Sequence, residues 1–495
     1  MTAVRTSRGE TRTSYWLRVR QFAVPPRVIE TATDRREVGD WAGACAAAGV
    51  DVELNLRAVT RTWGSDVAAA LRADLRALAP HLLRWHMPRI APDGLLRPGL
   101  TIELARYGAG GPAPLPSPLR LVVRTPPAWA DAGQRITLAL WDAARPDAAA
   151  RRHPHPHPNR RFRLDLHRHL WDARRAGELR SRSGADLPAP ELPGRPGDFD
   201  DGLAVDRWAA EAAILLRADG RPAGPVAVRA GRRRLLMEPY GPGEGRGDGD
   251  RGDGDAEAER PGGVRIFEAT TRRAVRGLPV LPDAATWTPP DLVLLRAGVI
   301  DAAALHPLVA AALAPDRSPA RRAAPDRSPD STRLVECGGA LHRIGPVDGV
   351  LTALDHDPDE LRCEELLVAL TGTPLACLRA IDEAHRTPDC LSDVRARLDH
   401  GDTSGAIAFV QALLGPDAVL RGGALRDELE TDAQRRLVRE LFRTDLFWPA
   451  WGPLPVASFP VPPGAPARRR HGHEHGRQKR RPRLSLSHPR HALFR

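Results

Sequence analysis

From residue 357 onward the apolar positions return every three or four residues, in five short runs divided by cap and turn residues. The runs are Cys363, Leu366, Leu367 and Leu370; Leu375, Leu378 and Ile381; Leu391, Val394 and Leu398; Ile407, Val410, Leu413 and Leu414; and Leu425, Leu429, Leu437, Leu441 and Phe442. Asp357-Pro358, Thr373-Pro374 and Thr387-Pro388 each set a capping side chain before a proline suited to the first helical position. Asp357 and Glu360 also have the spacing of a capping box. Gly415-Pro416 ends the fourth run. Five short helices with tight turns predict a compact bundle or a stack of helical hairpins. A hairpin at 333–344, turning at Gly338-Gly339, precedes them.

Upstream, short alternating runs mix with helical spacing. Residues 14–24, 100–107, 119–124 and 134–141 predict strands, the last two paired around Pro126-Pro127. Helices are expected at 28–48 and 66–85, the second carrying Val67, Leu71, Leu75, Leu78 and Leu82 on one stripe. Residues 161–313 repeat the mixture, with helices at 205–217 and 301–314 and strands at 225–229, 234–238 and 264–268. Between these regions lie stretches too polar to offset chain entropy: 143–160, 183–201, 241–263 and 314–331. The first contains His-Pro-His-Pro-His-Pro at 153–158, and the last holds Ala-Pro-Asp-Arg-Ser-Pro twice. All read as linkers or loops.

Composition changes the picture in one respect. The chain has a single lysine, Lys479, against 72 arginines. A Walker A loop, a kinase strand lysine and a Schiff-base enzyme each need a lysine in a folded site, so those chemistries are excluded. Residues 468–495 hold nine arginines and Lys479 against Glu474, a net of +9, which leaves +2 of the chain's +11 for residues 1–467. The basic balance therefore belongs to the tail and does not make the body a nucleic-acid binder. Cys45, Cys337, Cys363, Cys377 and Cys390 form no CxxC pair and read as thiols in a reducing cytosol, those at 363, 377 and 390 as core fillers. No stretch has the length of a membrane span or of a secretory apolar core.

Several motifs bear on chemistry. Ile381-Asp382-Glu383-Ala384-His385-Arg386 resembles motif II of superfamily-two helicases, and Leu370-Thr371-Gly372-Thr373-Pro374-Leu375 resembles motif III of their remodelling-type members. The resemblance implies ATP chemistry. Here the two motifs stand in reversed order, the acidic one has helical spacing, and no lysine exists to complete the site, so no nucleotide-dependent activity is expected. His356-Asp357 is similar to the metal-binding pair of phosphohydrolases, and His385 and His400 also have acids beside them. Those acids read as helix caps and solvated faces. Asp248 to Glu259 imitates a calcium loop but places Asp253 where the turn needs glycine. Residues 401–416 are loosely similar to one tetratricopeptide-type hairpin, though no fixed period recurs. Trp448 and Trp451 are expected to fold back on the bundle. The Arg/Ala/Pro bias diffusely resembles proteins of GC-rich actinobacteria, which implies no activity.

The fold class expected is α+β: two mixed α/β units at 14–142 and 161–313, the second with a long Gly/Asp-rich loop at 241–263. A hairpin plus α-helical bundle follows at 333–448, and a disordered basic Pro/Arg/His-rich tail at 452–495. The expected function is a non-catalytic protein-interaction or scaffold role, with 345–445 as the surface for an unknown protein partner. One alternative is a nucleic-acid-associated protein tethered without sequence preference through Arg468, Arg469, Arg470, Lys479, Arg480, Arg481 and Arg483. A second is a metal-dependent hydrolase using His and Asp. No catalytic residue, metal or cofactor is expected, no membrane association, and a cytoplasmic location.

Overall fold

A computed structural model describes residues 12–108, 117–145, 153–186, 202–240 except 232, 263–315 except 270 and 272, 333–372 except 338, 375–444, and 446. It is mixed α/β, with several sheets and a helical C-terminal block. The described chain divides into two units, one of residues 12–126 and 136–315, the other of 127–135 and 333–446. The stretches 14–142 and 161–313 therefore share the first unit, apart from 127–135.

The first unit is built on a sheet of β1 (Val50–Glu53), β4 (Thr101–Tyr107), β5 (Leu119–Arg124) and β6 (Ile136–Trp141), in the order β1-β6-β5-β4. β1 runs parallel to β6; the other pairs are antiparallel. A two-residue ribbon, β2 (Arg89–Ile90) and β3 (Leu95–Leu96), precedes β4. Six helices pack on this region: α1 (Arg12–Ala23), α2 (Pro26–Glu37), α3 (Trp41–Ala47), α4 (Leu56–Trp63), α5 (Ser65–Ala77) and α6 (Pro80–His86). Leu71, Leu75, Leu82, Leu104, Leu121 and Leu138 are among the residues of their common core. A second core gathers α8 (Trp208–Ala218) against the antiparallel sheet β7-β8-β9 (Val226–Ala230, Arg233–Tyr240, Gly263–Glu268), with Trp208, Val228 and Met237 fully buried. Short helices α7 (Leu179–Ser183), α9 (Asp283–Thr286), α10 (Pro290–Arg296) and α11 (Pro307–Leu313) complete the unit.

Three elements differ from their sequence reading. Residues 14–24 are the helix α1 and not a strand, because the buried positions are Tyr15, Val19, Phe22 and Ala23, a helical stripe that outweighs the local β-branched and aromatic content. The helix expected at 28–48 is interrupted at Val38–Asp40, where Gly39 has φ +82° and Asp40 caps α3 by accepting from the Gly43 amide. That at 66–85 breaks before Pro80, and the Ala79 amide donates to the Trp171 carbonyl.

In the second unit β10 (Arg333–Cys337), β11 (Ala340–Val347) and β12 (Val350–Ala353) form an antiparallel sheet in that order, one strand more than the expected hairpin. It packs with α13 (Ala376–Arg386) and α15 (Thr403–Leu414) around Ile344, Ile381, Val394, Val410 and Leu414. α12 (Pro358–Thr371), α14 (Leu391–Asp399) and α16 (Ala424–Arg443) complete the five helices. Asp357 does cap α12, accepting from the Asp359 amide. Thr387, by contrast, closes α13, and α14 starts three residues beyond Pro388. The stripe expected to bury Cys363, Leu366, Leu367 and Leu370 is exposed, because Leu361 is the α12 leucine packed against the core. Segment 127–135 joins this unit: Trp129 meets the Phe442 ring edge-on, and a Cβ at Gly401 would collide with the Gly133 carbonyl.

Candidate anion-binding site

The back of the first sheet carries charge where its front carries core. A bulge in β4 between Glu103 and Ala105 sets the register. Glu103 faces Val122 and Arg106 faces Arg120, and those two β5 residues share one face. Glu103 and Arg106, three apart in sequence, are thus brought to the same side. Arg120 in turn sits opposite Trp141 of β6, which completes a row Arg106–Arg120–Trp141 across three strands.

That row floors a hollow of about 660 Å³. Arg160 and His157 come from the segment after β6, Arg163 from the turn beyond it, and Asp219 and Arg221 from the end of α8. Backbone of 277–280 closes one wall. Glu103 is 1% exposed as a side chain and lies between two guanidinia, receiving Arg120 Nη1 at 3.2 Å and Arg106 Nε. Arg163 grips Asp165 with two parallel bonds of 2.8 Å and reaches Asp219 at 3.2 Å. Burial alone would lower the Arg163 guanidinium, but the carboxylates of Asp165, Glu103 and Asp219 outweigh it and hold it above its ordinary value. Arg120 lies over the Trp141 ring at 4.8 Å and keeps a buried Nε–H without a hydrogen-bond partner among the described residues. Among the described residues, neither Arg160 nor Arg221 makes an ion pair. Five arginines thus meet three carboxylates, an excess of positive charge around a concave space.

The segment that supplies His157 and Arg160 corrects the linker reading of 143–160. Residues 153–160 are packed along the sheet edge: Thr101 Oγ donates to the His155 carbonyl, and the Asn159 amide donates to the Thr101 carbonyl. His153 is buried, with Nε2 at 2.9 Å from the Thr125 carbonyl and Nδ1 at 3.0 Å from that of His155. Burial pushes this imidazole down to about 4, against the two carbonyls that favour its protonated form. Pro-His alternation hid these contacts, which depend on strand edges distant in sequence.

A second hollow in the same unit is smaller, about 110 Å³, and mostly apolar, with Trp16, Trp85, Trp287 and Phe162 in its wall. Trp16 Nε1, His86 Nε2 and Trp287 Nε1 are buried there without a hydrogen-bond partner among the described residues. Its size suits a few water-sized guests.

The residues picked from sequence fall elsewhere. Arg468, Arg469, Arg470, Lys479, Arg480, Arg481 and Arg483 lie outside the described residues, as do the calcium-like loop, Trp448, Trp451 and the tail histidines. Asp382 is held by Arg386 and Arg421, at 2.7 and 2.8 Å. His385 and His400 are buried on separate helical segments, and Asp357 is engaged as a cap. His356 faces Cys337 and Cys377. Of the three cysteines read as core, Cys377 is buried, Cys390 half-buried and Cys363 exposed.

No protein-family model, curated protein or solved structure matches this chain.

Proposed function

We propose that the protein acts by binding rather than by catalysis, and that its first unit takes a small anionic ligand carrying a phosphate or several carboxylates. The observation that supports this most is the pair Arg160 and Arg221, two guanidinia without ion-pair partners among the described residues, beside a hollow whose other charges are matched. A planar guanidinium fork fits a phosphate or carboxylate with two parallel hydrogen bonds. Trp141 and His157 add ring edges and faces beside it. The lining holds no serine, threonine, cysteine or lysine, and its one glutamate is fixed between two arginines, which argues for holding a ligand over transforming it. We take the cytosol as the compartment, in keeping with five unpaired thiols.

Calorimetric titration with pyrophosphate on the full chain tests the reading. Arg160→Ala and Arg221→Ala should each weaken binding about tenfold or more, as expected for a lost charge-assisted bond of about 1.5–3 kcal/mol. Loose binding by the arginine-rich tail survives in both variants and is subtracted. Unchanged affinity in both would sink the proposal.

The exposed leucines of α12 favour a second reading, the interaction role, in which this helix buries against protein: Leu366 is 66% and Leu370 85% exposed.

A further inference from the structure

The second unit brings together three soft and borderline metal ligands that the sequence scatters. Cys337 ends β10, Cys377 lies in the first turn of α13, and His356 follows β12. Their ligand atoms all lie within 4.8 Å of one another. Both cysteines are buried, at 4% and 0% exposure, and His356 is half-buried. His356 Nε2 is buried and has no hydrogen-bond partner among the described residues. His342 of β11 stacks on the His356 ring with centroids 4.2 Å apart and planes 13° from parallel, which fixes the imidazole. Asp355, next along the chain, is engaged by Arg343 at 2.8 Å.

We propose that Cys337, Cys377 and His356 form a zinc site that pins the β10-β11-β12 sheet to α13. Two thiolates and an imidazole are a donor set that suits a tetrahedral zinc ion. With zinc–sulfur bonds of about 2.3 Å, the two sulfurs of a tetrahedral site stand about 3.8 Å apart, within reach of small side-chain rotations from the present spacing. No fourth donor among the described residues joins this group. On binding, each thiol gives its proton to solvent as its sulfur joins the metal; no oxidant or reductant takes part. The unit's core is small, and its sheet exposes Leu334 and Leu341, so a metal link between sheet and helix would supply restraint that packing lacks.

The test is a cobalt titration of the reduced, metal-free full chain, followed in the near ultraviolet and the visible. We expect one tetrahedral cobalt per chain, about stoichiometric, with a sulfur-to-cobalt charge-transfer band that zinc abolishes. Histidines in the tail ligate through nitrogen and cannot produce that band. Cys337→Ser and Cys377→Ser should each lose it, while Cys363→Ser, on an exposed cysteine, should keep it. Circular dichroism identifies a variant that has failed to fold, and the wild-type titration decides the matter without any variant. Absence of the band in wild type, its survival in the double cysteine variant, or a Cys337–Cys377 disulfide found by non-reducing peptide mapping of freshly isolated protein would each overturn the site.

Discussion

Glu211 in the first unit is 3% exposed, whereas Leu370 in the second is 85% exposed. The two units thus differ in how they dispose of their polar and apolar side chains. In the first, buried carboxylates are answered by arginine: Glu211 receives Arg182 and His167, and Asp172, fully buried, receives Arg168 and Arg174. Burial would raise the Glu211 carboxyl, yet these partners bring it down to about 2. Such networks are tolerated because each buried charge has its bonds. In the second unit the core is smaller and leucines remain on the surface of α12. The second unit buries arginine too, Arg397 meeting Asp402 at 3.0 Å, so the contrast is one of extent and of where the apolar side chains go.

The sharpest way to break the contrast is a cavity in the larger core. Trp171 is fully buried and donates its indole N–H to the Leu164 carbonyl at 3.0 Å. Trp171→Ala should cost about 3–5 kcal/mol and lower protection across the first unit in peptide-resolved hydrogen exchange. A loss under about 1 kcal/mol would mean that this core is not the source of stability.

Acid should separate the units next. Burial pushes His81 and His86 down to about 3, and His169 and His306 well below 6.5. The charged neighbours Arg36 and Arg89 act in the same direction. The unfolded imidazoles titrate near 6.5, so the unfolded chain takes up protons first as pH falls. This contribution is complete above about 6.5 and is lost progressively toward about 3, at about 1.4 kcal/mol per group and pH unit. Hydrogen exchange at pH 7.5 and 5.5 should show the first unit loosening more than the second. Equal loosening would remove the distinction.

The smallest effect belongs to α12. Leu366→Glu with Leu370→Glu should change stability by less than about 0.5 kcal/mol, since neither side chain leaves a core. Sedimentation equilibrium of this variant against wild type reads the interaction role, with a second copy of the chain as partner: wild type should self-associate and the variant should not. A wild type that stays monomeric counts against self-association through this helix.

Legibility in the sequence followed the range of the interactions. The helices from 358 to 443 could be read because caps and apolar spacing act within a few residues, as Asp357 does on Asp359. The β4, β5 and β6 strands were visible for the same reason. α1 was misread because its aromatic and β-branched residues favour a strand locally, and only the surrounding core selects the helical stripe. Both sites escaped. The row Arg106–Arg120–Trp141 depends on a bulge, and Cys337, His356 and Cys377 meet through tertiary packing. In a chain with 72 arginines, no single arginine stands out until its partners are known.

The placement of 127–135 in the second unit sets a timetable for biosynthesis. This stretch is synthesised roughly 310 residues before α16 has been completed, a delay of about 15–60 s at ordinary translation rates. Trp129 must wait that long for Phe442, its edge-on companion. The nascent chain therefore carries Trp129 without this companion through much of its synthesis. An isolated 333–446 fragment would meet the converse situation, with Phe442 lacking its aromatic neighbour.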